Sequence, residues 1–123
     1  MVDGDTIRVV QDGREEAVRY IGVDTPETAE PECFGQAASQ ANRELVEGER
    51  VRLVEDAESH DRYGRRLAYV YRARDGLFVN AELVRRGFAT VLTVPPNVAH
   101  EDEFADLARG ARRNGRGLWS ACR

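Results

Sequence analysis

The stretch from Thr6 to Val23, TIRVVQDGREEAVRYIGV, decides the fold of this 123-residue chain. Thr6 to Val10 is rich in β-branched residues, Asp12-Gly13 is typical of a tight hairpin turn, and Ala17 to Val23 resumes the strand pattern. Two strands joined by so short a turn run antiparallel. The sequence therefore predicts a β-hairpin whose two open ends lie side by side.

The rest of the chain alternates further strand patterns with helical ones. Apolar residues recur at helical spacing in three segments, at residues 35 to 47, 79 to 86 and 101 to 113. Further strand patterns lie at Val51 to Val54, Leu67 to Tyr71 and Phe88 to Val94. Five short strands with three helices are typical of an α+β protein built on a small, mostly antiparallel barrel rather than of a parallel sheet.

Composition narrows the function classes. The chain is 41% apolar and 33% charged, which excludes disordered and fibrous classes, and it has no repeat or linker that would divide residues 1–123 into two domains. No apolar run approaches the ~20 residues that cross a bilayer, and the first residues show no export signal, so we expect no membrane association. A net charge of -4 argues against a protein that binds polyanions by bulk charge, so any phosphate chemistry must be local.

Two acidic turns bracket the hairpin, Asp3-Gly4-Asp5-Thr6 at its entry and Asp24-Thr25-Pro26-Glu27 at its exit. Because the open ends of a hairpin are adjacent, Asp5 and Asp24 are expected to converge. Carboxylates gathered in this way suit Ca²⁺ or Mg²⁺ rather than zinc. The same residues are also ordinary turn and N-cap formers, and the pattern by itself leaves that interpretation open.

Two arginines occupy unusual places. Arg19 lies inside an apolar strand, where a cation needs a partner, and Arg65 follows the tight turn Asp61-Arg62-Tyr63-Gly64. Guanidinium groups beside a metal ion form a clamp for a phosphodiester, because both neutralise the charge that grows on phosphate oxygens during in-line attack. For Arg65, a surface salt bridge explains the pattern equally well.

Several of these motifs together resemble the staphylococcal nuclease (thermonuclease) family, in the same order and with similar gaps over essentially the whole chain. The motifs are Asp3 to Thr6, Arg19 to Glu27, Asp61 to Arg65, Leu67 to Tyr69, Val79-Asn80 with Leu83 to Arg85, and Gly117 to Ser120. The resemblance implies a five-stranded OB-fold barrel with three α-helices. It also implies a Ca²⁺-dependent phosphodiesterase that cuts DNA and RNA and leaves 3′-phosphate and 5′-hydroxyl ends.

Carried over position by position, the resemblance implies that the Asp5 and Asp24 carboxylates and the Thr25 carbonyl bind Ca²⁺. It implies that Arg62 and Tyr63 contact the terminal phosphate of a bound nucleotide. All of these positions keep the residue types of the family motif.

The catalytic roles implied by the resemblance fall on three residues. Glu27 positions or activates the attacking water, and Arg19 and Arg65 grip the phosphate and stabilise the transition state. An OB-fold module that binds nucleic acid without cutting it is the alternative, but such a module has no need for the carboxylates.

Two departures from the family pattern affect the expectations. The chain starts almost at the first acidic motif, so the first barrel strand is expected to be truncated. Thr93 and Pro95 stand where some relatives have tyrosines, so base stacking is expected to be weaker. We therefore expect a monomer with weak sequence preference that acts best on single strands or breathing duplex.

Cys33 and Cys122 are the only two cysteines. A bond between them would tie the loop before the first helix to the carboxyl-terminal end, and two free thiols in a cytosolic protein are the alternative. The disulfide, together with the family resemblance, implies a secreted or extracytoplasmic protein.

Overall fold

The computed structural model describes residues 4–28 and 32–122, in which the chain forms six strands and four helices. The strands are β1 (Thr6–Gln11), β2 (Arg14–Tyr20), β3 (Gly22–Asp24), β4 (Val51–Val54), β5 (Arg66–Arg72) and β6 (Thr90–Leu92). The helices are α1 (Gly35–Val46), α2 (Val79–Arg85), α3 (Glu101–Arg113) and α4 (Leu118–Ala121). All three predicted helices are therefore present within one residue of their expected bounds.

The strands form a curled half-barrel. Two antiparallel hairpins, β1–β2 and β4–β5, are joined into one sheet of order β1-β2-β5-β4, and β3 pairs antiparallel with β6 in a second, smaller sheet. The prediction of a mostly antiparallel barrel with helices is confirmed. One pairing, β2 with β5, is parallel and was not foreseen. It is possible because α1 and β4 supply the long crossover that a parallel pair requires.

The strand count differs from the expected five because the predicted strand Ala17 to Val23 is broken. Gly22 has a positive φ of 82°, and a Cβ at this position would lie 2.5 Å from the Phe104 ring. The chain therefore turns at Gly22 and leaves β2 for the second sheet. The fourth helix, α4, is a single turn that the sequence analysis did not include.

The core lies between the curled sheet and the helices. Inward-facing strand residues such as Val18, Tyr20 and Val70 meet Leu83 of α2 and Phe104 of α3, and all five are at most 1% exposed. Burial of each such side chain stabilises the fold by about 1.5–3 kcal/mol. β3 is attached to the same core, because its Val23 is fully buried in the cluster.

Cys33 and Cys122 form the expected disulfide, with their Cα atoms 5.7 Å apart. The bond joins the segment just before α1 to the end of α4, 89 residues later in the chain. Within residues 4–28 and 32–122, no helix has the length and the apolar character needed to cross a membrane.

Candidate active site

Asp5 and Asp24 meet at the corner where the hairpin opens. Asp5 precedes β1, and its carbonyl accepts a hydrogen bond from the Tyr20 amide at 2.9 Å, which closes the hairpin at that end. Its carboxylate accepts from the Thr25 amide at 3.0 Å and from the Thr6 hydroxyl at 3.2 Å. Asp24 ends β3 one residue before Thr25, so three predicted metal-site residues, Asp5, Asp24 and Thr25, lie together.

Arg19 joins the two carboxylates of this corner. Its Nη1 donates to the carbonyls of Tyr20 at 2.7 Å and Val23 at 2.8 Å, so the turn at Gly22 itself orients the guanidinium. Its Nη2 lies 3.4 Å from Asp5 Oδ2 and 3.5 Å from Asp24 Oδ1. The cation that the sequence placed inside an apolar strand thus has its partners at the corner.

The corner retains an excess of negative charge despite Arg19. Burial raises the pKa of Asp24 above its usual value; Arg19 counteracts this, while the nearby charges of Asp5 and Glu32 raise it further. A carboxyl with a raised pKa resists ionisation, and an added cation would relieve that resistance. The electrostatics of the corner therefore favour a positively charged ligand.

The donor set of the corner fits a hard cation such as Ca²⁺. The described residues contain no group of three or more His, Cys, Asp or Glu side chains arranged to hold a metal. The corner does contain two carboxylates and, beside them, the Thr25 hydroxyl, whose oxygen is buried without a hydrogen-bond partner among the described residues. Oxygen donors alone are the ligands that Ca²⁺ prefers.

Glu27 lies three residues beyond Asp24 on an exposed loop. Its amide donates to Glu32 Oε1 at 2.6 Å, and its carbonyl accepts from the Glu32 amide at 3.1 Å. The part of this loop at residues 29–31 lies outside the described residues, as does Asp3 of the first acidic motif. Glu27 is therefore held through its backbone on the loop that leaves the Asp5–Asp24 corner.

The second predicted cluster is the turn at residues 61–65, organised by Asp61. The Asp61 carboxylate accepts from the amides of Tyr63 at 2.9 Å and Arg65 at 3.0 Å, and from Arg65 Nε at 2.8 Å. Burial alone would raise the pKa of Asp61, but these bonds and the Arg65 charge outweigh burial and lower it. Arg65 does make a salt bridge, and that bridge fixes the direction in which its side chain leaves the turn.

Arg62 and Tyr63 lie at the tip of the same turn. Tyr63 is 70% exposed, and its ring is flanked by the guanidinium carbons of Arg62 at 5.0 Å and Arg65 at 5.6 Å from the ring centre. Arg62 also donates to the Tyr63 hydroxyl at 2.8 Å. The tip of the turn is consequently an exposed pair of cations stacked on one aromatic ring.

The parallel pairing of β2 with β5 brings the corner and the turn to the same end of the sheet. Arg19 is in register with Leu67, two residues after Arg65. A cavity of about 190 Å³ opens between the two regions, lined by Arg19 on one side, Asp61 on the other, and the apolar side chains of Leu67 and Leu92. Arg19 lines this cleft directly, whereas Arg65 is connected to it through Asp61, to which it donates a hydrogen bond.

Comparison with known proteins places this geometry in a family. Residues 17–121 match the staphylococcal nuclease homologue family. The thermonuclease of Staphylococcus intermedius is 39% identical over 97% of this chain and 72% of its own length, and the thermonuclease of Staphylococcus hyicus is 35% identical over 98% and 72%. Endonuclease YncB of Bacillus subtilis is 40% identical over 97% of this chain and 58% of its own length. The chain belongs to the staphylococcal nuclease family, and its class is that of enzymes that hydrolyse nucleic acids.

The sequence analysis did not identify the residues that orient the predicted catalytic side chains. Asp61 was noted only as part of a turn, although an aspartate two residues before an exposed tyrosine and four before an arginine is a recognisable side-chain-to-backbone turn signal. Glu32 carried no signal at all, because its contact with Glu27 depends on how the loop between them closes.

Proposed function

We propose that this protein is a Ca²⁺-dependent phosphodiesterase that cuts DNA and RNA and leaves 3′-phosphate and 5′-hydroxyl ends. The observation that carries the proposal is the position of Arg19, whose guanidinium lies between the Asp5 and Asp24 carboxylates at the mouth of a cleft. A binding module has no use for paired, incompletely neutralised carboxylates at this place. The metal and the product ends are those implied by the family resemblance.

In this proposal the Asp5 and Asp24 carboxylates and the Thr25 carbonyl would hold Ca²⁺. The ion would supply positive charge next to a non-bridging phosphate oxygen. The two carboxylates suit this role because the Asp24 side chain is half exposed to solvent, whereas Asp5 is fixed by the Thr25 amide and the Thr6 hydroxyl. One carboxylate is thus anchored and the other is accessible.

Glu27 orients the attacking water and accepts its proton. The water oxygen attacks phosphorus as the bond from phosphorus to the 5′ oxygen breaks. The phosphate stays on the 3′ side, and the departing 5′ oxygen takes up a proton from solvent to become the hydroxyl. Arg19 and Arg65 donate to the phosphate oxygens, whose negative charge grows in the transition state. Because both guanidinium groups are oriented by existing hydrogen bonds, little reorganisation is needed when the substrate arrives.

Substrate binding depends on phosphate contacts rather than on base edges. Arg62 and Tyr63 form the exposed cationic tip beside the cleft, and the cleft walls contributed by Leu67, Leu92 and Val94 are apolar. Apolar walls accept any base face without reading its hydrogen-bonding edge. We therefore expect weak sequence preference, with single strands or breathing A·T-rich duplex cut best, because unpairing costs energy.

Cleavage of plasmid and single-stranded DNA in Ca²⁺, repeated in excess chelator, tests the proposal. We expect cleavage only in Ca²⁺, with fragments that a polymerase extends only after phosphatase treatment. Glu27→Gln should lose activity, whereas Glu44→Gln, an exposed change on α1, serves as the matched control. Equal rates in chelator, or tight DNA binding without cleavage, would contradict the proposal, and the latter would favour the non-catalytic binding module.

We propose in addition that the protein works outside the cytoplasm as a monomer. The Cys33–Cys122 disulfide supports this location, because such bonds persist in oxidising compartments. Fractionation of the producing cells followed by thiol labelling without reductant would locate the oxidised protein. Sedimentation equilibrium at micromolar concentration would measure its oligomeric state.

A further inference from the structure

Glu27 and Glu32 hold each other through a reciprocal pair of hydrogen bonds. The Glu32 side chain accepts from the Glu27 amide at 2.6 Å, and the Glu32 amide donates to the Glu27 carbonyl at 3.1 Å. A bond from an amide to an ionised carboxylate is about twice as strong as one between neutral groups. The backbone of Glu27 is thus fixed on both of its polar groups by a single residue.

The segment that follows Glu32 is itself anchored at each successive position. Cys33 is bonded to Cys122, and the Phe34 ring stacks on Phe88 with 5.3 Å between ring centres. Phe34 adopts a left-handed φ of 73°, which is strained for a residue other than glycine and persists only where the surroundings fix it. Glu32 therefore projects from a part of the loop that is tied to the body of the protein.

One further contact places Glu27 against this anchored segment, and another joins its two anchors. A Cβ at Gly35 would lie 2.3 Å from the Glu27 carbonyl oxygen, so the backbone of α1 approaches Glu27 as closely as glycine permits. On the other side, the Leu118 amide of α4 donates to the Gly87 carbonyl at 2.9 Å. The helix that carries Cys122 is thus fixed to the residue next to Phe88, and both anchors of the loop reach the same place.

We propose that Glu32 is a positioning residue for Glu27, held in place by the Cys33–Cys122 disulfide and the Phe34–Phe88 stack. This rests on the proposed function, in which Glu27 handles the attacking water. Misplacement of a reacting group by about 1 Å costs on the order of 10²-fold in rate. Glu27 lies on an exposed loop and needs an external support that Asp5, held at the open end of the hairpin, and Arg19, within β2, do not.

Replacement of Glu32 tests the proposal. At saturating Ca²⁺, Glu32→Ala should lower kcat about tenfold with KM changed less than about twofold, because it removes the acceptor that holds the Glu27 amide. Glu32→Gln keeps an acceptor oxygen and should stay within about threefold of the parent kcat. Glu44→Ala on the exposed face of α1 is the matched control. If Glu32→Gln loses as much as Glu32→Ala, charge rather than the hydrogen bond matters, and the proposal is wrong.

Amide hydrogen exchange gives a readout that does not depend on activity. In Glu32→Ala the Glu27 amide should exchange about tenfold faster or more, while core amides of β2 and β5 keep the parent rate. A general loss of stability would instead accelerate the core amides as well. Unchanged exchange at Glu27 would overturn the proposal even if kcat fell.

A double-mutant cycle tests the part played by the disulfide. The variant that carries both Cys33→Ser and Cys122→Ser, assayed below its unfolding midpoint, should have a kcat lowered about threefold or more. Glu32→Ala added to that variant should lower kcat by a smaller factor than it does in the parent. Multiplicative losses would mean that the two act independently and would overturn the proposed support. If the serine variant does not fold, reduction of the folded parent by phosphine before the assay makes the same comparison.

The same measurements separate this proposal from the proposed function. If the parent cuts DNA in Ca²⁺ and Glu27→Gln does not, but Glu32→Ala matches the parent in kcat and in Glu27 exchange, only the positioning role fails. If the parent never cuts DNA in Ca²⁺, the proposed function fails.

Discussion

The corner formed by Asp5, Arg19 and Asp24 and the turn formed by residues 61–65 both pair arginine with aspartate, but they do so in opposite ways. At the corner, one guanidinium faces two carboxylates, and the pKa of Asp24 is raised by burial and by its acidic neighbours. In the turn, one carboxylate accepts three hydrogen bonds, and the pKa of Asp61 is lowered. The corner carries more negative than positive charge, whereas the Asp61 carboxylate of the turn is fully hydrogen-bonded and paired with a cation.

This difference separates binding from positioning. A carboxylate that resists ionisation in the free protein gains from a bound cation, so the charge balance of the corner suits the cation proposed to bind there. A carboxylate that is fully hydrogen-bonded has little to offer a ligand, and its effect is to hold Arg65 in one direction. Each of the four predictions below tests this division by changing one residue of the corner or one residue of the turn.

The largest effect is expected from Arg19→Ala. This change removes a donor to the transition state and leaves the Asp5 and Asp24 charges without their shared partner, so kcat should fall by about 10³-fold and Tm should drop. Steady-state cleavage and thermal unfolding measure both. Arg72→Ala is the control, because Arg72 is equally enclosed but pairs with Asp75 away from the cleft, so it should lose Tm without losing kcat. A parent-like kcat for Arg19→Ala would refute the corner as the site.

Arg65→Ala should lower kcat about 10²-fold with little change in Tm. Its side chain is 36% exposed, so its salt bridge with Asp61 contributes little to stability. The matched variant is Arg74→Ala, which breaks an exposed pair with Glu49 far from the cleft and should leave kcat unchanged. Equal kcat in the two variants would leave Arg65 as an ordinary surface arginine.

Asp61→Ala should lower kcat about tenfold, because Arg65 remains but is no longer oriented. It should also lower Tm at pH 7. A carboxyl whose pKa is lower in the folded than in the unfolded state stabilises above the unfolded value of about 3.9, and this contribution is lost as pH falls through the lowered pKa. The Tm difference from the parent should therefore vanish at low pH.

Asp75→Ala is the control for Asp61. Hydrogen bonds from Arg72 lower the pKa of Asp75 to about 2, so its removal should change Tm with pH in the same direction. Asp75 lies on another turn, and kcat should stay at the parent value. A loss of kcat in both variants would show that turn stability alone, and not the direction of Arg65, limits the rate.

The smallest effect is expected from Asp24→Asn in chelator. Because the folded pKa of Asp24 is raised, stability falls as pH rises through the interval between the unfolded and folded values, and the ionised group destabilises the metal-free protein at neutral pH. Asp24→Asn should raise Tm at pH 7 by about 1–2 °C, a small shift because solvent screens a half-exposed group. No rise should be seen below the unfolded pKa. A lower Tm at pH 7 would mean that the corner is not short of positive charge.

The local elements and the residues of the corner could be predicted because their signals are short-range. Asp12-Gly13 fixed the hairpin turn, and the hairpin in turn placed Asp5 opposite the chain that leads to Asp24. The helices followed from apolar periodicity, and their bounds agree to within one residue. The disulfide was expected as a pair, but the sequence left free thiols as an alternative.

The remaining features depend on which segments meet across the fold. The break at Gly22 is set by the Phe104 ring, which lies more than 80 residues later in the chain. Orientation of Glu27 by Glu32 depends on the anchors at Phe88 and Cys122, and no local pattern announces it.

By itself, the sequence determined the hairpin, the three longer helices and the identity of the charged groups, because hydrogen bonding within a turn and apolar periodicity act between near neighbours. Only the tertiary structure decided that β2 and β5 run parallel, and this pairing puts Arg19 and the turn at residues 61–65 at the same end of the sheet. It also decided that the pKa of the Asp24 carboxyl is raised and that the pKa of the Asp61 carboxyl is lowered. Burial and the fields of distant charges set those energies, and both arise only when remote segments pack together.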